Sequence, residues 1–259
     1  MRKTALTLML STLVLSAFGA FFHWLQMMNV FETETGLAAL GARSSIVFVV
    51  YSLLAALAMA GLSFFLRRRC EQPRGEEGLR WDSPLPRVIT VVCGLLFAVA
   101  AIQQMFTAGG AGSPLMQRIF GAAGLIAAGA LMALPTRRDG TVPALSRYAA
   151  LWLPLFCCYW LVLIYRDNAQ DPVLWDYATY ICAVALSALA FYHLSAWYFR
   201  RATPGRALFF IQLAVYLDAC ALTEAHSIWI KLLLAASAVV LAMEEYVLIS
   251  NMREKAEES

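Results

Sequence analysis

Eight long apolar runs separated by short polar connections constrain this chain more than any other feature of its sequence. They cover residues 5–28, 45–66, 88–107, 115–134, 144–165, 172–199, 206–223 and 227–249. Most reach the roughly 20 residues that cross a bilayer's hydrocarbon core as a helix. None shows the ten-residue polar–apolar alternation of a membrane barrel strand. Composition argues against a water-soluble fold: 61% of the residues are apolar and 14% charged, against about 45–50% and about 25% in soluble domains. A soluble domain of 259 residues has too little interior to hide that much apolar surface. The expected fold is all-α, a polytopic helical membrane protein with eight transmembrane helices in one membrane domain.

Orientation follows from Lys and Arg, which stay on the cytoplasmic side of short loops. With eight spans, the N-terminus, the even-numbered connections and the C-terminus share one side. That side carries Arg2, Lys3, Arg67, Arg68, Arg69, Arg74, Arg80, Arg87, Arg137, Arg138, Arg147, Arg200, Arg201, Arg206, Arg253 and Lys255. The other has only Arg43, Arg118, Arg166 and Lys231. Both termini are therefore expected in the cytoplasm. The net charge of +3 reflects topology and contact with anionic headgroups rather than nucleic acid.

The opening MRKTALTLMLSTLVLSAFGA also reads as a signal peptide, with small residues at Ala17, Gly19 and Ala20. The apolar run continues through Phe21, Phe22, Trp24 and Leu25, however, so a retained first helix is the preferred expectation. Cleavage would leave seven helices. Of the six cysteines, Cys70 falls on the cytoplasmic side and Cys93, Cys157, Cys158, Cys182 and Cys220 fall within spans. No disulfide is expected from that placement, and no Cys/His spacing suggests a metal.

The connection 67–87 is charged and proline-bearing, which predicts a mobile cytoplasmic loop, and 251–259 reads as a tail that frays. In the fourth span Gly121, Gly124 and Ala128 recur at three- and four-residue spacing. Small residues in that pattern let membrane helices approach closely.

Polar groups inside lipid are costly, so their placement is the best functional signal available. They gather toward the outer ends of the spans: His23, Gln26 and Asn29 on the first, Gln103 and Gln104 on the third, and Arg166, Asp167 and Asp171 around the fifth-to-sixth turn. Asp176, Tyr177 and Tyr180 follow on the sixth, Asp218 and Glu224 close the seventh, and Lys231 opens the eighth. Two readings compete. Either these groups line an outward-facing polar cavity, or each sits hydrated at headgroup level.

The proposed lining is His23, Gln26, Arg166, Asp176, Tyr177, Tyr180, Asp218 and Lys231, where Arg166 suits an anion and the carboxylates suit a cation or a proton. Asp218 and Lys231 lie at similar depth on neighbouring spans, which predicts a structural ion pair. Asp171-Pro172 reads as a helix start, a carboxylate for free backbone N–H groups followed by proline in the first turn.

Enzyme signatures are absent. Adjacent Glu244 and Glu245 lack the arginine that prenyl-peptide-processing membrane proteases place four positions on, since the next, Arg253, lies eight beyond Glu245. No HExxH, nucleophile elbow or phosphate loop occurs. Lys231 sits at a helix edge, unlike a retinal lysine. No catalytic residue, metal or cofactor is expected.

The stretch YRDNAQDPVLWDYATY with its flanking spans, the following RRATPGRALFF, and NVFETETG after the first span resemble uncharacterised multi-pass membrane proteins of clostridial-type bacteria. The resemblance implies a bacterial cytoplasmic (inner) membrane and transfers no activity. The expected function is binding or transport of a small solute through the outward cavity. The rival is a membrane scaffold or accessory subunit, whose partner would be another membrane protein.

Overall fold

A backbone in lipid has no water to satisfy its N–H and C=O groups, so an apolar run must close its hydrogen bonds within itself. The computed structural model describes residues 2–30, 42–71, 81, 84–106, 114–134, 144–169, 177–199 and 203–254. Its helices are α1 (Arg2–Val30), α2 (Arg43–Arg69), α3 (Pro84–Phe106), α4 (Pro114–Ala133), α5 (Ala144–Asp167), α6 (Ala178–Tyr198), α7 (Pro204–Ala221) and α8 (Ile228–Ser250). Proline opens α3, α4 and α7, where its missing N–H costs nothing. Ser227 caps α8 by accepting from the Ile230 amide at 3.4 Å.

Seven of these helices are long and apolar enough to cross a membrane. The exception is α7, which has 18 residues and carries Arg206, Gln212 and Asp218. Polar side chains are tolerated there because α7 packs against α1, α2, α6 and α8, and Gln212 and Asp218 are fully buried. Helix α8 adjoins α1, α3 and α7, so α7 and α8 form the centre. Around them α6, α5, α4 and α3 pack in sequence, each against the next. The gradient is steep: 67% of the apolar window of α8 is buried, against 17% for α2. The outward residues of α2, among them Ile46, Val50, Leu53, Leu54 and Leu57, are exposed. A contiguous apolar face of that kind suits acyl chains rather than water.

Gly121 and Gly124 are buried on the side of α4 that faces α3. A Cβ at Gly121 would lie 2.6 Å from the Ala101 carbonyl oxygen, and one at Gly124 would lie 2.9 Å from the Ala101 Cβ. Close backbone approach is what these glycines permit.

At the far end of the bundle two short strands pair antiparallel, β1 (Cys70–Glu71) and β2 (Arg253–Glu254). Cys70 stands opposite Glu254 and Glu71 opposite Arg253. The expected loop and frayed tail are thus tied together where they leave α2 and α8, because backbone groups beyond a helix end still need partners. Trp81, within the same connection, is buried, and its carbonyl accepts from the Arg87 guanidinium at 3.4 Å.

Candidate functional site

The α7–α8 connection is a tight turn whose backbone is bonded to itself. The Thr223 amide donates to the Cys220 carbonyl, Glu224 to Ala221, and His226 to Glu224. This folding tucks the Glu224 side chain inward, where it is 1% exposed. The ring of His226 follows it, with Nε2 2.8 Å from Glu224 Oε2.

Behind Glu224 stands His23 of α1, also buried. Its Nδ1 lies 3.1 Å from the Cys220 carbonyl and 2.7 Å from Thr223 Oγ1. A carbonyl oxygen only accepts, so Nδ1 carries the proton of the neutral ring. Nε2 then accepts from Thr179 Oγ1 at 3.0 Å. Glu224 Oε1 lies 3.7 Å from that same Nε2. The contact is too long for a hydrogen bond, as expected of two lone-pair-bearing atoms, and becomes an ion pair once His23 is protonated. Four elements meet here: α1 through His23, α6 through Thr179, the end of α7, and the turn.

In front of Glu224 a cavity of about 840 Å³ opens between α3, α4, α5, α6 and the start of α8. Its wall has an aromatic part and a polar part. Phe120, Trp160, Tyr177, Tyr180, His226 and Trp229 supply rings. Gln104, Gln117, Asp167, Asn168 and Glu224 supply polar atoms. The Trp160 indole donates to the Tyr180 hydroxyl at 2.6 Å, and the Tyr180 and His226 rings lie 4.2 Å apart. No family model matches the chain, and no curated protein or solved structure matches it either. The site therefore has to be read from its own atoms.

Of the expected lining, Tyr177 and Tyr180 face the cavity. His23 stands behind Glu224, outside the cavity wall, and holds Thr179 and the end of α7 instead. Gln26 is buried but turns to α2, its Nε2 3.3 Å from Ser45 Oγ. Arg166 is exposed and directs its guanidinium to the Met116 sulfur, outside the cavity wall. Asp171, Pro172 and Asp176 lie outside the described residues; α6 as described begins at Ala178 with Tyr177 in the cap position.

Asp218 and Lys231 form no ion pair. Both Asp218 oxygens are served by Ser187 Oγ, at 3.1 and 3.0 Å, and the Ser237 side chain faces the same carboxyl group. Ser237 lies six residues beyond Lys231 in α8, about 9 Å deeper at helical rise. Equal distance from the turn had suggested equal depth. The turn instead sets Asp218 level with Ser237, and Lys231 stays half-buried nearer the end.

A second buried polar cluster lies toward the other end, formed by groups outside the expected site. Glu245 Oε1 accepts from Gln212 Nε2 at 2.7 Å and from Thr12 Oγ1 at 2.9 Å. Ser63 Oγ approaches Gln212 Oε1 at 3.4 Å. The Glu245 carboxyl group thereby joins α8 to α1 and α7, and the Gln212 amide extends the link to α2. None of the six cysteines is in a disulfide. Among the described residues no three His, Cys, Asp or Glu side chains gather as a metal site.

Proposed function

We propose that this chain is a bacterial cytoplasmic-membrane protein of eight spans with both termini cytoplasmic, and that it binds or transports a small solute through the cavity at the α7–α8 end, which opens outward. The observation that carries this reading is the cavity itself. Its volume falls within the roughly 300–1,000 Å³ typical of small-molecule sites, and its wall joins aromatic surface to a few convergent polar groups. The distribution of Lys and Arg supports the orientation, and the resemblance to clostridial-type membrane proteins supports the bacterial membrane. Helix α7 completes the crossing count in this reading, protected from lipid by its four neighbours.

Thermal unfolding of the full chain in lipid nanodiscs, scanned against a panel of small polar and charged solutes, tests it. At least one solute should raise Tm, and Ala225→Trp, which fills the cavity wall, should abolish that rise. A panel without effect, or a rise that survives Ala225→Trp, contradicts the reading and leaves the scaffold alternative.

A further inference from the structure

We propose that the ligand of this cavity is an organic ammonium ion, a quaternary or protonated amine carrying apolar substituents. The proposal rests on the cavity being a solute site and adds the chemical class.

Charge decides first. The described wall contains the carboxylates Asp167 and Glu224 and neither a lysine nor an arginine. The nearby cations are turned elsewhere. Arg166 reaches the Met116 sulfur, Arg118 is exposed, and Lys231 is half-buried outside the wall. Among the described residues of the wall an anion would find no counter-charge, only repulsion at short range.

The His226 Nε2–H donates to Glu224 Oε2 at 2.8 Å, and His23 presents the lone pair of its Nε2. A cation brought within reach of a buried carboxylate offsets part of its desolvation cost.

The rings decide second. Tyr177, Tyr180, Trp160, Trp229 and Phe120 come from four helices and border one space, with the carboxylate of Glu224 on the same wall. Aromatic faces attract a cation through their quadrupole, Trp most strongly, and the attraction grows when the site is desolvated. They also take the apolar substituents of such a cation, which a hydrated metal ion or a simple sugar lacks. Carboxylate plus aromatic wall is thus selective for a soft, weakly hydrated cation.

The test uses the intact protein in nanodiscs and three probes of similar size: choline, its neutral carbon isostere 3,3-dimethylbutan-1-ol, and benzoate. Affinity is read by quenching of tryptophan fluorescence and by Tm. Choline should bind about tenfold or more tightly than the alcohol, the factor expected of the cation's added electrostatic attraction, and benzoate should not bind. Glu224→Gln should remove most of that preference while leaving affinity for the alcohol unchanged. The comparison of probes on the unmodified chain stands even if Glu224→Gln fails to fold. If the alcohol or benzoate binds as well as choline and Ala225→Trp blocks it, the cavity reading stands and the ammonium assignment falls. If none of the three binds, the ammonium assignment falls as well, and the wider solute scan decides whether the cavity reading falls with it.

Discussion

The Trp160 indole and the Tyr180 hydroxyl are joined by a 2.6 Å hydrogen bond between rings set nearly perpendicular, at 76°. Both side chains are buried and both border the cavity. Trp160 lies seven residues before the end of α5, so the contact sits about 10 Å below that helix end. It fixes how α5 and α6 meet at the base of the cavity.

Tyr180→Phe keeps the ring and deletes the acceptor. The buried Trp160 N–H is left without its partner, and the expected cost is about 1–3 kcal/mol of stability. Trp160→Phe alone should cost less per polar group lost, because the Tyr180 hydroxyl can turn toward the cavity. Unfolding by denaturing detergent, in a double-mutant cycle, measures the coupling. A coupling near zero would show that the short contact contributes no stability.

Asp218 and Lys231 should behave as independent sites. In a cycle of Asp218→Asn and Lys231→Ala the coupling should stay below about 0.5 kcal/mol, as for groups without shared partners. Asp218→Leu should be the more damaging change, since it strands the Ser187 and Ser237 hydroxyls. Those hydroxyls have a partial remedy in the carbonyl one turn back in their own helices. A coupling of 1 kcal/mol or more between Asp218 and Lys231 would restore the ion pair.

Glu245 should matter structurally at the opposite end. Glu245→Leu leaves the Gln212 amide without its acceptor in the centre of the bundle, for an expected loss of about 1–3 kcal/mol. Adding Gln212→Leu should recover part of that loss, because removing both partners is cheaper than removing one. Thermal unfolding of the two variants side by side gives the answer, and equal Tm values would mean the bond contributes nothing.

The sequence carried the helices well and the side-chain directions poorly. Apolar runs of spanning length locate α1 to α8 to within a few residues at most ends, since a bilayer leaves the backbone few alternatives. As described, α6 opens at Ala178, and the expected start at Pro172 lies outside the described residues. The expected site residues shared a level along their helices in the sequence, but their contacts were not legible. Tyr177 and Tyr180 converge, whereas Gln26 and Arg166, equally polar and equally placed along their helices, point to Ser45 and Met116. Facing depends on helix rotation and on packing between helices far apart in sequence, which a single chain's pattern does not encode. Glu224 and His226 had a faint signal in their two-residue spacing within a turn. Trp160 had none, being one aromatic among many in an apolar span.

The central claim is that the cavity opens to the outer side of the membrane, and Tyr177 gives the most direct access to it. Tyr177→Cys in the full chain, expressed in intact cells, can be challenged with a membrane-impermeant maleimide, using the parent protein and its six native cysteines as background. Labelling of the variant in intact cells, slowed by a bound solute, is the predicted result. Labelling only after the membrane is permeabilised from the cytoplasmic side, or none at all, would contradict it.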